Sequence, residues 1–120
     1  MAKKQDFVDR NKIYAIRTAD SDRATGIALY TEMGYEGFAG ICYLTPPERG
    51  HMIDGTLGKK TSRGFTFQPD GRTGEWEFIE VTYENFCKEY RQLVEGSEEI
   101  LAEVSTTEEL QDWFHRAFPM

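Results

Sequence analysis

The stretch Phe65, Thr66, Phe67, Gln68, Pro69, Asp70, Gly71, Arg72, Thr73, Gly74, Glu75, Trp76, Glu77, Phe78 reads as two short strands joined by a turn. Pro69 presets one turn dihedral and Gly71 permits conformations closed to other residues, so residues 69–71 predict a hairpin loop. On its arms Phe65 and Phe67 share one parity, as do Trp76 and Phe78. Packing these four rings together would keep water off one common sheet face.

Upstream, the apolar pattern of residues 12–19 predicts a short strand covered on both faces, with Ile13, Ala15 and Arg17 on one parity and Tyr14 and Ile16 on the other. Asp20, Ser21, Asp22 and Arg23 then read as a turn. Strands are expected over 26–32 and 38–45, because Gly26, Gly34, Gly37 and Gly40 weaken any long helix there. Pro46 and Pro47 stop the second of them. Residues 46–64 are poor in apolar anchors and are expected as a surface loop carrying at most a short strand near 52–57.

Beyond residue 81 the period changes. Tyr83, Phe86, Cys87, Tyr90, Leu93 and Val94 recur at three- and four-residue intervals, predicting an amphipathic helix that starts near Thr82 and stops at Gly96. A short helical segment is expected from Ser97 to Val104. A last helix, with a capping box of Thr106 and Glu109 or a register starting at Ser105, places Leu110, Trp113, Phe114, Ala117 and Phe118 on one stripe, and Pro119 ends it. The expected fold is therefore α+β: one domain over 1–120, in which a small antiparallel sheet from the N-terminal two-thirds packs against two or three C-terminal helices.

Charge is divided unevenly along the chain. Residues 1–74 carry 11 Lys/Arg against 9 Asp/Glu, while residues 75–120 carry 3 against 12, which together give the net charge of −7. Glu98, Glu99, Glu103, Glu108, Glu109 and Asp112 form the densest acidic group and are the candidate protein-binding residues. Such a surface would steer a basic partner and repel nucleic acid phosphate, so direct DNA or RNA binding is not expected.

The chemistry of other residues is weaker. His51 and His115 are the only histidines, and no three or four ligands stand at a zinc-binding spacing, so no metal, cofactor or catalytic residue is expected. An enzyme reading would enclose a small substrate with the 50–64 loop, using His51, Asp54 and Cys87. The basic patch Lys59, Lys60, Arg63 could contact a phosphate but lacks the glycine spacing of a nucleotide-binding loop. Cys42 and Cys87 sit in apolar surroundings and read as buried free thiols. No apolar run reaches the roughly 20 residues of a membrane-spanning helix, and the basic opening is followed by no apolar signal segment, so the expected location is cytoplasmic.

These observations favour a non-enzymatic acidic protein, binding or inhibitory, that docks on a basic protein surface such as that of a nucleic-acid-binding protein. The competing readings are the hydrolase-like enzyme just described and a homo-oligomeric structural protein that associates through Trp113, Phe114 or Phe118.

Overall fold

In the computed structural model, which describes residues 12–32, 38–45 and 50–117, six antiparallel strands pair in chain order and the last pairs back with the first. They are β1 (Ile13–Arg17), β2 (Gly26–Glu32), β3 (Phe38–Tyr43), β4 (Met52–Lys60), β5 (Gly64–Pro69) and β6 (Trp76–Glu80). Closure is made by Tyr14 opposite Glu80, Ala15 opposite Ile79, Ile16 opposite Phe78 and Arg17 opposite Glu77. The result is a closed up-and-down barrel with helices outside it.

Strand alternation gives this barrel two separate cores. Inside, Tyr14, Ile16, Ile41, Ile53, Leu57, Phe65, Phe67, Trp76 and Phe78 fill the lumen. Phe78 lies at its aromatic centre, with ring centroids 5.0 Å from both Phe65 and Phe67, while Tyr14 meets Phe65 edge-on at 5.2 Å. Gly55 occupies an inward position of β4, where a Cβ would run into the Phe67 ring and the Gln68 carbonyl. The large ring on β5 thus requires the absent side chain on β4.

The second core lies outside the wall formed by β6, β1 and β2. Ile13, Ala15, Ile27, Leu29, Ile79 and Val81 are covered there by Phe86, Tyr90, Ile100, Val104, Leu110 and Phe114 from the C-terminal segment. That segment begins with α1 (Tyr83–Asn85), capped by Thr82: its Oγ1 accepts from the Asn85 amide at 3.1 Å, and Asn85 Oδ1 accepts from the Thr82 amide at 2.7 Å. The chain then widens into a π-helical turn over Phe86–Tyr90 and tightens into a 3-10 turn over Arg91–Leu93. Gly96, at φ 77°, reverses it into α2 (Ser97–Glu103), which is followed by α3 (Thr107–Ala117).

The expected α+β arrangement is corrected by this closure. The anticipated strands are present, but the aromatic face of the 65–78 hairpin points into a lumen, not toward helices, because β6 finds its second partner in β1. The residues 46–64, expected as a surface loop, contain the nine-residue β4, with only 46–49 outside the described residues. The helix expected from 82 to 96 keeps its buried stripe at Phe86 and Tyr90 but is three kinds of turn in succession. Cys42 and Cys87 are free thiols, partly exposed and not buried.

Replacing Phe78 with Ala should destabilise the fold by about 3–5 kcal/mol, since it empties the middle of the ring cluster and leaves a cavity. Urea unfolding followed by tryptophan fluorescence, with Trp76 in the same lumen, would measure it; a loss below about 1 kcal/mol would contradict the packing described.

Candidate functional site

The outer surfaces of α2 and α3 carry the acidic residues. On α2 the buried Ile100 fixes the inward direction, and Glu98, Glu99 and Glu103 are exposed. On α3, Leu110 and Phe114 point inward, leaving Glu108, Glu109 and Asp112 exposed. Glu99 and Glu103, like Glu108 and Asp112, stand one turn apart and so share a row on their helix.

Three of these side chains are brought to one concave surface. Glu103, Glu109 and Asp112 line an open groove between α2 and α3 of about 510 Å³, together with Val104, His115 and Arg116. Glu98, Glu99 and Glu108 lie on the same helices but do not line this groove. His115 and Arg116 were not among the expected site residues. Their signal was available as spacing, since Arg116 follows Asp112 by four residues and Glu109 by seven.

Two of the groove carboxylates also hold structure. Trp113 Nε1 donates to Glu103 Oε2 at 3.2 Å, tying α3 to α2. The Glu109 amide donates to Thr106 Oγ1 at 3.2 Å, while its Oε1 accepts from the Ser105 amide and the Ser105 hydroxyl, each at 3.0 Å. The cap keeps the expected Thr106–Glu109 pair for the amide, but the Glu109 carboxylate accepts from the Ser105 amide and not from that of Thr106, and Glu108, the partner expected for a register starting at Ser105, is not used. The Ser105 amide, and then the Ser105 hydroxyl, hold the Glu109 carboxyl below its ordinary range.

Cation pairing separates these acids from Glu77 and Glu80 of the barrel. Glu77 pairs with Arg17 and Arg63, and Glu80 pairs with Lys12 at 3.0 Å. Among the described residues none of Glu98, Glu99, Glu103, Glu108, Glu109 and Asp112 forms an ion pair with Lys or Arg. The sequence explains why: residues 92–115 contain seven Asp/Glu and no Lys or Arg.

The enzyme constellation is not brought together. Asp54 faces outward on β4, and His51 is exposed just before that strand. Cys87 belongs to the helical layer over β6, β1 and β2, and β4 stands three strands from β1 in either direction around the barrel. Cys87 instead neighbours the Tyr83 phenol, whose ionisation it pushes up first through charge and then through a hydrogen bond. Among the described residues no three His, Cys, Asp or Glu side chains cluster to hold a metal ion. The aromatic patch expected for self-association is not formed either: Phe114 is buried, Trp113 packs against the same core, and Phe118 lies outside the described residues.

No family model, curated protein or solved structure matches the chain. Among the described residues no helix is long and apolar enough to cross a membrane.

The depressed Glu109 carboxyl makes a pH-dependent contribution to stability. It is present above the ordinary carboxyl pKa of about 4.5 and is lost as pH falls through the lower folded-state value. Wild type should therefore exceed Glu109→Gln in thermal midpoint at pH 7, with the gap narrowing on acidification below pH 4. A gap that is constant from pH 7 to pH 2 would contradict the cap.

Proposed function

We propose that this chain is a non-enzymatic, cytoplasmic binding protein that docks the acidic outer surface of α2 and α3 on a basic surface of a partner protein, of the kind presented by a nucleic-acid-binding protein. The observation that carries this reading is the contrast in pairing. Glu77 and Glu80 on β6 are neutralised by arginine or lysine, whereas among the described residues none of the six on the helices forms an ion pair with Lys or Arg.

Exposed unpaired charges act over about one Debye length, roughly 8 Å at physiological salt, so they raise the encounter rate more than they tighten the final complex. The groove between the helices offers Glu103, Glu109 and Asp112 to a basic side chain entering it. Contact with nucleic acid itself is opposed, because the same carboxylates would face phosphates. Inhibitory action, anticipated from the charge alone, has no feature of the structure behind it, and the reading is narrowed to binding.

The test leaves Glu103 and Glu109 in place, since both hold the helices, and changes Glu98→Gln, Glu99→Gln, Glu108→Gln and Asp112→Asn together. A basic protein captured by wild type at low salt, identified and then purified, should associate about tenfold or more slowly with the quadruple variant, and the difference should shrink at high salt. Association rates unchanged by the four substitutions and insensitive to salt would remove this surface from the function.

A further inference from the structure

A second concave site lies where the helical layer stops short of covering the barrel wall. Arg17 at the end of β1, Asp22, Arg23 and Ala24 in the following loop, Arg63 before β5, Ile79 on β6, and Glu89, Tyr90 and Gln92 from the helical segment enclose a cleft of about 340 Å³. That volume falls at the lower end of the roughly 300–1,000 Å³ typical of small-molecule sites.

Arg17 and Arg63 are held in place by one carboxylate. Glu77, with a side chain only 14% exposed, accepts at the same oxygen, Oε1, from Arg17 Nε at 3.2 Å and from Arg63 Nη2 at 3.1 Å. Arg17 Nη1 also donates to the Ser21 carbonyl at 3.1 Å, which ties the loop to the wall. Two guanidiniums share this one carboxylate, and among the described residues Arg63 keeps Nε and Nη1 without a partner. The Arg23 guanidinium makes no hydrogen bond or ion pair among the described residues.

Tyr90 brings a further donor to the cleft. Its side chain is 4% exposed and belongs to the outer core, yet its phenol oxygen has no hydrogen-bond partner among the described residues. Among the described residues no buried side-chain polar atom lacks a partner, so that oxygen is open to solvent, and Tyr90 lines the cleft. Burial first, and then Glu89, push its ionisation up, while Arg63 pulls the other way, so at neutral pH it is a phenol able to donate.

We propose that this cleft binds the phosphoryl group of a small molecule, with Arg23 and Arg63 supplying charge and forked donors and the Tyr90 hydroxyl supplying a third. Three donors arriving from three separate elements suit the three oxygens of a tetrahedral phosphate better than the planar pair of a carboxylate. The Asp22 and Glu89 side chains also line the cleft and, with Glu77, balance the three arginines in formal charge, so recognition here rests on directed donors and not on a net positive field, which disfavours an extended polyanion.

The test uses the full chain at constant ionic strength, titrated with inorganic phosphate, glycerol phosphate or acetate against a chloride reference and followed by NMR chemical shifts. Saturable shifts at residues around Arg23, Arg63 and Tyr90 are expected with both phosphates, weakened about fivefold or more by Tyr90→Phe and by Arg23→Gln. Because the Tyr90 hydroxyl makes no internal hydrogen bond, Tyr90→Phe should keep the wild-type thermal midpoint, so its weakened binding would not reflect misfolding. Tighter binding of glycerol phosphate would identify a phosphate monoester as the source, and tighter binding of inorganic phosphate would identify the free ion; either supports phosphoryl recognition. Non-saturable shifts, equal competition by acetate, or affinities untouched by both substitutions would overturn it.

Discussion

The pairing of β1 with β6 is the constraint on which the rest of this structure depends. It makes one short strand serve two cores: Tyr14 and Ile16 fill the lumen, while Ile13 and Ala15 form the floor on which the helices sit. All four are buried, so β1 carries little polar surface to hold it in register except through its neighbours. Closure and helix docking therefore stabilise one another. Opening the β1–β6 seam would expose the lumen aromatics, and stripping away the helices would expose the outer apolar wall.

The same seam organises charge. Arg17 stands opposite Glu77 across it, and Glu77 in turn reaches Arg63. Glu77 and Glu80 are thus absorbed locally by cations that closure brings near. The helices lie outside that arrangement, in a stretch whose one Lys or Arg is Arg116 at the end of α3, and their carboxylates remain exposed. The acidic surface and the arginine-lined cleft are two results of one topology, one beyond the reach of the barrel cations and one built from them.

Local features were legible in the sequence where the signal was short-range. The 65–78 hairpin, the doubly covered β1, the stop at Gly96 and the Ser105, Thr106, Glu109 cap all depend on residues within a few positions of each other. Barrel closure was not legible, because it depends on Tyr14 meeting Glu80, and no composition or periodicity fixes a register across so long a loop. β4 was hidden by Gly55 and Gly58: its inward positions are Ile53, Gly55 and Leu57, so the alternation loses its middle apolar term to make room for Phe67. The π-helical turn escaped because Phe86 and Tyr90 keep a helical spacing whichever way the chain winds. Of the site, the exposure of the six acids could be anticipated from the buried stripes, but the groove that gathers Glu103, Glu109 and Asp112 depends on how α2 meets α3. Arg17 did leave a trace, as a charged residue continuing the apolar parity of Ile13 and Ala15.

A sheet that closes on itself has spent its backbone amides and carbonyls internally. Every strand here has two neighbours, so no row of unpaired main-chain groups is left along the sheet for a foreign peptide to extend. Recognition by β-strand addition, in which main-chain hydrogen bonds recruit an extended peptide, is closed to this wall. Binding at the barrel wall is therefore read through side chains, which makes selectivity there a matter of a few replaceable residues and leaves the scaffold beneath them free to stay the same.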